Sequence, residues 1–275
     1  MNKQEAISIL KEHNQEHVIK RLEALGDDAA KKLISQVAMI DWKVVESIKD
    51  KAEDKGDAKK IEPLAAVEIN DIKKNKEKYT AKGVEAIKNG KVAAVLLAGG
   101  QGTRLGLDKP KGTLNVGVNK DLFLFGQLIH NLMDVVNQTG AWVPLYIMTS
   151  DKNNKDTVEF FEEHNYFGYD KDYVKFFIQS MVPSVDYNGK LYMESTDSLA
   201  MSPNGNGGWF LSLIAAGLDK DMQHKGIEYV NVFAVDNILQ RIADPAFIGA
   251  TILAGAECGS KVVRKCEPAE KVGVM

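Results

Sequence analysis

The sequence has few cysteines, prolines and histidines: among 275 residues there are two, seven and five of them, respectively. Cys258 and Cys266 are eight positions apart, which is typical neither of a paired metal site nor of a redox Cys-x-x-C motif. No arrangement of serine, cysteine and histidine indicates a catalytic nucleophile. The low cysteine content suits a reducing compartment, and we therefore expect a cytoplasmic protein.

Long apolar runs and a strong net charge are also missing. The longest weakly polar run, Ala246 to Ala256, is shorter than the roughly 20 residues that a membrane-spanning helix needs. Residues 1–17 are polar and amphipathic, without an apolar segment of the secretory type. The formal net charge is -3, which gives no electrostatic case for nucleic acid. We expect neither a membrane nor a nucleic acid as a partner.

Glycine, in contrast, is concentrated in one loop. Residues 93–97 are an apolar run typical of a buried parallel strand, and the loop after it combines four glycines with three cations. Backbone amides without side chains in the way, next to cations, suit a polyphosphate ligand. The alternative is a strand-to-helix turn kept only for packing. We call residues 99–106 the glycine loop; it contains Gly99, Gly100, Gly102, Gly106 and the cation Arg104, and the cations Lys109 and Lys111 follow shortly after it.

The loop matches neither of two common phosphate-binding motifs. A dinucleotide fingerprint would need glycine three positions after Gly102, where Leu105 stands. A Walker A loop would end in Gly-Lys followed by serine or threonine, and this sequence has no such ending here. The polyphosphate prediction therefore depends on the local chemistry of the loop.

The two parts of the chain differ in pattern. In residues 1–90 glycine is sparse and apolar residues recur at helical spacing, including a stripe through Leu33, Val37, Ile40, Val44 and Ile48. From Lys91 short apolar strands alternate with helices, which predicts an α/β domain with a parallel sheet covered on both faces. We predict a helical region over 1–90 and a second domain over 91–275. The predicted strands are 93–97, 144–149, 173–178, 228–235 and 260–263, with a hairpin turn at Asp186–Lys190.

Unusual polar residues follow three of these strands. The glycine loop follows the first, Gln179 follows the third, and Asp236 with Asn237 follows the strand that ends at Val235. In open α/β sheets the ligand lies outside the carboxyl ends of the strands. The three groups are therefore expected to meet in one binding site. Taken alone, Gln179 could be a turn residue and Asp236 a helix cap.

Five segments together resemble the UTP-dependent sugar-1-phosphate uridylyltransferases, in particular their UDP-N-acetylhexosamine pyrophosphorylase branch. They are Leu-Ala-Gly-Gly-Gln-Gly-Thr-Arg-Leu-Gly at 97–106, Phe-Phe-Ile-Gln-Ser-Met-Val-Pro at 176–183, Met-Ser-Pro-Asn-Gly-Asn-Gly-Gly at 201–208, Val-Asp-Asn-Ile-Leu at 235–239 and Pro-Ala-Glu-Lys-Val-Gly-Val at 268–274. The resemblance implies a Rossmann-like, mixed but mostly parallel sheet in a nucleotide-binding catalytic domain over 91–275. It also implies that this domain is incomplete at its C-terminal end.

The resemblance further implies a reaction and a set of site residues. A sugar-1-phosphate oxygen would attack the α-phosphorus of UTP and release pyrophosphate, with Mg²⁺ as the cofactor. Arg104 and Lys111 would be catalytic, Asp236 would hold the metal, and Asn206 and Gly273 would contact the sugar. The nucleotide would be bound by Leu97, Ala98, Gly99, Gly100, Gly102, Thr103, Gln179 and Gly205.

The favoured sugar phosphate is N-acetylglucosamine-1-phosphate, giving UDP-N-acetylglucosamine. A UDP-glucose or broad-specificity UDP-sugar pyrophosphorylase is an alternative within the same chemistry. An alternative of another class is a nucleotide-binding regulatory module without turnover, against which the joint presence of Arg104, Lys111 and Asp236 argues. An incomplete sheet would also leave an open edge through which the chain could self-associate.

Overall fold

The computed structural model describes residues 1–50, 66–102, 106 and 108–273, with side chains of 48–50 excepted. Its helices are α1 (Lys3–Glu12), α2 (Glu16–Ala24), α3 (Asp27–Ala38), α4 (Trp42–Asp50), α5 (Ile69–Lys74), α6 (Lys76–Lys88), α7 (Leu124–Thr139), α8 (Asn154–Glu163), α9 (Trp209–Ala215), α10 (Leu218–His224) and α11 (Pro245–Leu253). Its strands are β1 (Val92–Leu97), β2 (Leu145–Thr149), β3 (Val174–Ile178), β4 (Met181–Pro183), β5 (Met201–Pro203) and β6 (Tyr229–Ala234).

The described residues form two compact units that divide the chain differently from the predicted boundary at residue 90. The first unit contains the helices α1 to α4 together with residues 181–204. The second contains residues 66–180 and 205–273, and so includes α5 and α6. A boundary drawn from composition divides the chain at one point in the sequence. Packing, in contrast, joins residues 181–204 to the N-terminal helices, from which they are distant in sequence.

The first unit is a helical cluster closed by a β-hairpin segment. A capping box at Asn2 and Glu5 begins α1. The predicted turn at Asp186–Lys190 is confirmed, because the Asp186 carboxylate accepts hydrogen bonds from the backbone N–H groups of Asn188 and Lys190, both at 2.8 Å. On either side of this turn, β4 before it pairs antiparallel with β5 after it. Its buried core combines both segments: Ala6, Leu10, Val18, Leu22, Ala30, Leu33, Val37, Ile40, Val45, Leu191 and Leu199.

Two glutamines tie the helices of this unit to the hairpin segment. The Gln15 amide donates to the carbonyl of Gly189 at 2.8 Å and accepts from the N–H of Leu191 at 3.0 Å. The Gln36 amide accepts from the N–H of Leu199 at 2.8 Å. Each amide therefore satisfies backbone groups of the hairpin that would otherwise lack a partner in the interior.

The second unit is built on a four-stranded parallel sheet with the order β3-β2-β1-β6. Four predicted strands are thereby confirmed to within a residue or two. The chain moves outward from β1 to β2 and β3, then returns to place β6 on the other side of β1. The strand order thus reverses between β1 and β6, which is where open α/β sheets form their ligand crevice.

Helices cover both faces of this sheet, as predicted. Alternate residues of β1 point to opposite faces, so Ala94 and Leu96 join one apolar core and Ala93 and Val95 join another. The first core includes buried residues of α6, α7 and α11, and the second includes Leu213 of α9 and Met222 of α10. The unit is therefore a doubly wound α/β fold.

Helix α6 belongs to this unit because it packs closely on α11. At Gly83 an added Cβ would lie 1.9 Å from the carbonyl oxygen of Pro245, and at Gly249 it would lie 1.8 Å from the carbonyl oxygen of Tyr79. Both distances are far below van der Waals contact, so glycine at these two positions lets the helix backbones approach. Asp244 caps α11 and Pro245 begins it.

Two predictions about the elements are wrong. Residues 260–263 form no strand, and Val263 is 93% exposed; a strand needs a hydrogen-bonded neighbour, and no described strand pairs with this segment. In α4 the buried residue is Val45, whereas Val44 is 53% exposed, because α4 starts a new phase after the break at residues 40–41. Among the described residues there is no helix with the length and apolar character needed to cross a membrane.

Candidate functional site

Gln179 lies directly against the first glycine of the loop. It follows β3, its backbone N–H donates to the carbonyl of Thr149 at 2.8 Å, and only 5% of the residue is exposed. Its side-chain Nε2 lies 3.5 Å from the Gly99 carbonyl oxygen, and a Cβ on Gly99 would lie 2.3 Å from Nε2. Glycine at 99 is therefore required for the amide to occupy this place. The predicted meeting of Gln179 with the glycine loop is confirmed.

Asn153 anchors the base of the loop, and the sequence analysis missed it. This residue is fully buried just before α8. Its Nδ2 donates to the carbonyl oxygens of Ala98 at 3.0 Å and Gly100 at 3.3 Å, and its Oδ1 accepts from the N–H of Ser150 at 2.7 Å. The residue stands at a helix start, where asparagine is common, so no sequence signal separates it from an ordinary cap.

Lys111 and Asp236 form an ion pair across the crevice. Asp236 follows β6 and Lys111 follows the glycine loop, so the two charges come from the carboxyl ends of the neighbouring strands β6 and β1. The loop reaches Lys111 by folding back on itself: Gln101 pairs with Pro110, and the N–H of Gly102 donates to the carbonyl of Lys109 at 3.2 Å. Sequence analysis had placed both residues in one site, and the structure brings them together.

A close contact behind Lys111 fixes its position. Lys111 begins a 3₁₀ turn that ends at Thr113. Within this turn Gly112 lies on the ring of the fully buried Phe125, and a Cβ on Gly112 would come within 2.2 Å of that ring. The missing side chain lets the turn lie flat on α7. The only sequence signal for this contact is the glycine that follows Pro110 and Lys111.

A second asparagine anchors the segment that carries Asp236. Asn131 of α7 donates through Nδ2 to the carbonyls of Ile238 at 2.7 Å and Gln240 at 3.2 Å. The Gln240 side chain donates in turn to the carbonyl of Ala234 at 3.1 Å. The chain after β6 is therefore held from both ends while the Asp236 side chain remains 63% exposed.

The Gly205–Gly208 segment is connected to the end of β3 by one buried serine. The Ser212 hydroxyl donates to the Gly208 carbonyl at 2.9 Å and accepts from the N–H of Ser180 at 2.9 Å. Gly205 has a φ of +76°, which favours glycine, and Asn206 begins a 3₁₀ turn directly before α9. Both residues are exposed. Through Ser212, the end of this segment is therefore connected to Ser180, the residue that follows Gln179.

The remaining predicted residues are placed as follows. Leu97 ends β1, and the N–H of Ala98 donates to the carbonyl of Met148 at 2.8 Å, which continues the sheet into the loop. Gly273 is exposed, and no hydrogen bond between described residues joins it to the site. Thr103 and Arg104 lie outside the described residues. The structure thus brings together the predicted residues after β1, β3 and β6.

The donor set suits a magnesium ion that a ligand helps to hold. Among the described residues no three side chains of His, Cys, Asp or Glu are grouped as a metal site. Mg²⁺ commonly binds one or two carboxylates and takes its other oxygens from substrate phosphates and water. The exposed carboxylate of Asp236 fits that pattern, in which the protein supplies only a small part of the metal's ligands.

Fold and site together define a class: open α/β proteins that bind a ligand where the strand order of a parallel sheet reverses. The chain belongs, within this class, to the UTP–glucose-1-phosphate uridylyltransferase family, whose model matches residues 16–275.

The proteins that match this chain include several named as UDP-N-acetylhexosamine or UDP-N-acetylglucosamine pyrophosphorylases. The UDP-N-acetylglucosamine pyrophosphorylase of Saccharomyces cerevisiae is 36% identical over 97% of this chain and 56% of its own length. The human UDP-N-acetylhexosamine pyrophosphorylase-like protein 1 is 44% identical over 73% of this chain and 41% of its own length. A solved UDP-N-acetylglucosamine pyrophosphorylase from Trypanosoma brucei, in complex with an inhibitor, matches with a TM-score of 0.74 and 30% identity, covering 93% of this chain and 56% of that one. The chain spans about half the length of these relatives.

Proposed function

We propose that this chain carries the nucleotide-binding part of a uridylyltransferase that forms UDP-N-acetylglucosamine and pyrophosphate from UTP and N-acetylglucosamine-1-phosphate. The observation that carries the proposal is the juxtaposition at the sheet crevice. At the carboxyl ends of the strands, the first glycine of the glycine loop lies against the buried amide of Gln179, and the Lys111–Asp236 ion pair lies beyond β1 and β6. Membership of a UTP-dependent family supports the choice of nucleotide.

The nucleotide would be held by main-chain and amide groups. Gln179 offers one donor and one acceptor, which suits the edge of a uracil ring. Gly205 begins the segment whose last residue, Gly208, is connected to the end of β3 through Ser212, and Gly205 would contact the base there. The residues Leu97, Ala98, Gly99, Gly100, Gly102 and Thr103 would line the rest of the nucleotide with backbone groups.

Catalysis would depend on position and charge, since nucleotidyl transfer needs little covalent help from the protein. A phosphate oxygen of the sugar-1-phosphate attacks the α-phosphorus of UTP, and the bond from that phosphorus to the oxygen bridging to the β-phosphate breaks. Lys111 would stabilise the negative charge that develops there, and Arg104 would bind the leaving pyrophosphate. A magnesium ion held by Asp236 would neutralise phosphate charge. Before nucleotide binds, Lys111 and Asp236 neutralise each other.

The sugar would be recognised only in part by this chain. Asn206 presents an exposed amide at the start of the turn before α9, which suits sugar hydroxyls. Gly273 would contribute its backbone. The sugar preference rests on the names of the relatives. One alternative is a uridylyltransferase whose product is UDP-glucose. A second alternative is a module that binds the nucleotide without turnover.

The proposal is tested by calorimetric titration of this chain with UTP and Mg²⁺, with ATP as the competing nucleotide. We expect UTP to bind and ATP to bind much more weakly. Lys111→Ala and Asp236→Ala should each weaken UTP binding about tenfold or more, the loss expected for a charge-assisted contact. Lys120→Ala, which removes an exposed lysine outside the site, is the matched control. Equal affinity for UTP and ATP, or unchanged binding in both site variants, would contradict the nucleotide assignment.

The product is tested separately by pyrophosphate release from UTP. N-acetylglucosamine-1-phosphate and glucose-1-phosphate are supplied in parallel, both to this chain and to the longer relative from S. cerevisiae. Release only with the N-acetylated sugar supports the proposed product. Release only with glucose-1-phosphate supports the alternative product, and UTP binding without release from either supports the module without turnover.

A further inference from the structure

We infer that Asn153 is a positioning residue whose side-chain amide holds the start of the glycine loop, residues 98–102, in the conformation that receives the triphosphate. The inference rests on the proposed function for the identity of the ligand. The contacts that carry it do not depend on that function. Asn153 is fully buried, and all three of its side-chain hydrogen bonds go to backbone groups at the carboxyl ends of β1 and β2.

The contacts of Asn153 set the direction of the loop amides. Its Nδ2 binds the carbonyls of Ala98 and Gly100, which share their peptide units with the N–H groups of Gly99 and Gln101. In a trans peptide the C=O and N–H bonds point in opposite directions. Turning both carbonyls towards Asn153 therefore turns both N–H groups away from it. Among the described residues neither N–H has a backbone hydrogen-bond partner, and an anion on that side of the loop would meet both of them.

An ordinary capping role does not account for this arrangement. Asn153 occupies the N-cap position of α8, but its side chain makes no hydrogen bond to that helix. A capping asparagine would accept from the N–H of the second or third helical residue. Here the donor half of the amide is used entirely on the loop after β1.

Asparagine-to-aspartate substitution separates the two roles. Aspartate caps helices as well as asparagine does, and its carboxylate can still accept from the N–H of Ser150. It cannot donate to the carbonyls of Ala98 and Gly100, and it places a negative charge against them. A capping residue would tolerate Asn153→Asp, whereas a residue that positions the loop would not.

The matched control is Thr157→Val, one turn further along the same helix. Thr157 is also fully buried, and its hydroxyl has no hydrogen-bond partner among the described residues. Valine has nearly the same shape, so this change alters a buried polar group of α8 without touching the loop. Its UTP affinity is expected to stay within about twofold of that of the unchanged chain.

The test combines UTP titration with amide hydrogen exchange in the absence of nucleotide. Asn153→Asp and Asn153→Ala should each weaken UTP binding about tenfold or more, the size expected for two lost hydrogen bonds and a disordered loop. Without nucleotide, exchange at the Gly102 amide, which is bonded to Lys109, should accelerate in both variants. Exchange at the Thr157 amide within α8 should stay slow.

The two proposals can fail separately. If the unchanged chain does not bind UTP, the proposed function fails, while the exchange at Gly102 still decides whether Asn153 orders the loop. If UTP binds and Asn153→Asp binds it as well as the unchanged chain does, with slow exchange at Gly102, the inference about Asn153 is overturned. A lowered unfolding midpoint in Asn153→Ala with unchanged UTP affinity would overturn it as well, because that result describes a structural role only.

Discussion

At the scale of single residues, the ion pair of Lys111 with Asp236 depends on the absence of a side chain at position 112. Lys111 occupies its place beside Asp236 because Gly112 lies flat against the ring of Phe125. Any side chain at 112 would have to displace either that buried ring or the turn that carries Lys111. The position of the Lys111 cation is therefore set by the packing of Gly112 against Phe125, and a substitution at Gly112 can test this packing.

Gly112→Ala should lower the stability of the protein by about 1–3 kcal/mol, the usual cost of adding a methyl group to a closely packed site. The added Cβ would lie 2.2 Å from atoms of the Phe125 ring, which has no room to move because it is fully buried. Thermal unfolding measures the change. Gly100→Ala is the stability control, since nothing lies within 4 Å of its added Cβ and its φ is not positive. Equal unfolding midpoints for the two variants would show that the Phe125 contact is not tight.

Sequence reasoning found Gln179, Lys111 and Asp236, which the structure brings to the carboxyl ends of the strands, and missed the residues that hold the neighbouring loops. Gln179 and Asp236 could be predicted because each follows a strand and carries a group that suits a nucleotide or a metal. Asn153 and Asn131 bind only backbone carbonyls of distant segments. Nothing in the sequence around an asparagine tells which remote carbonyl it will contact, so such residues appear only when the fold is known.

At the scale of secondary-structure elements, a charge cluster joins β2, β3 and α10. The Asp221 carboxylate of α10 accepts from the hydroxyl of Tyr146 on β2 at 2.6 Å and from Lys175 on β3 at 2.7 Å, and Lys225 adds a further ion pair. Burial by itself raises the pKa of Asp221, but the hydrogen bonds from Lys175, Lys225 and Tyr146 outweigh it and hold the pKa well below its usual range. Burial, with the hydrogen bond to Asp221, raises the pKa of the Tyr146 phenol.

Asp221→Asn should therefore destabilise the protein at neutral pH and much less in acid. A carboxylate whose folded pKa is depressed contributes stability above its unfolded pKa of about 3.9, and this contribution is lost as the pH falls towards the folded pKa. Urea unfolding at pH 7 and at about pH 3 measures the difference between the variant and the unchanged chain. Asp134→Asn, at an exposed position of α7, controls for loss of a surface charge. A difference that stays constant between the two pH values would contradict the assignment.

The glutamine contacts between helices and hairpin allow a second prediction at this scale. Gln15→Ala should destabilise the first unit by about 1–3 kcal/mol, because the carbonyl of Gly189 and the N–H of Leu191 lose their buried partner. Hydrogen exchange at amides of α1 to α3 measures the local loss. Gln4→Ala, at an exposed position of α1, is the control. If the two variants exchange alike, the hairpin does not depend on Gln15.

Elements with a local signal were predicted well, and those that need a partner were not. The strands of the parallel sheet are short, mostly apolar runs, and the Asp186–Lys190 turn has its Asn-Gly pair, so both could be read from neighbouring residues. Residues 260–263 have strand-like composition, but they find no hydrogen-bonded neighbour among the described strands. The pairing of β4 with β5 joins segments about 20 residues apart and has no comparable signal.

At the scale of the whole molecule, chain order and spatial order disagree twice. Helix α6 lies within the region that composition assigns to the N-terminal helices, yet it packs in the sheet unit against α11. The hairpin segment lies within the region assigned to the α/β domain, yet it completes the core of the first unit. Composition describes neighbours in sequence. It therefore cannot show that α6 packs in the second unit or that the hairpin segment packs in the first.

Gly83→Ala tests the placement of α6. The added Cβ would lie 1.9 Å from the backbone oxygen of Pro245, and a backbone atom at the start of a helix cannot rotate away. We expect a loss of about 1–3 kcal/mol or more in urea unfolding, although alanine is normally the better helix former. Lys78→Ala, at an exposed position of the same helix, should leave the stability nearly unchanged. A gain in stability for Gly83→Ala would mean that α6 and α11 do not approach this closely.

The two-segment construction of the first unit has a consequence for the order of events on the ribosome. Helices α1 to α4 emerge first, but their core is closed by Leu191 and Leu199, which are translated about 150 residues after the end of α4. At typical elongation speeds that interval is on the order of ten seconds. During it the apolar faces of the nascent helices lack their final partner. The helices of the first unit therefore cannot finish folding until the hairpin segment has been synthesised.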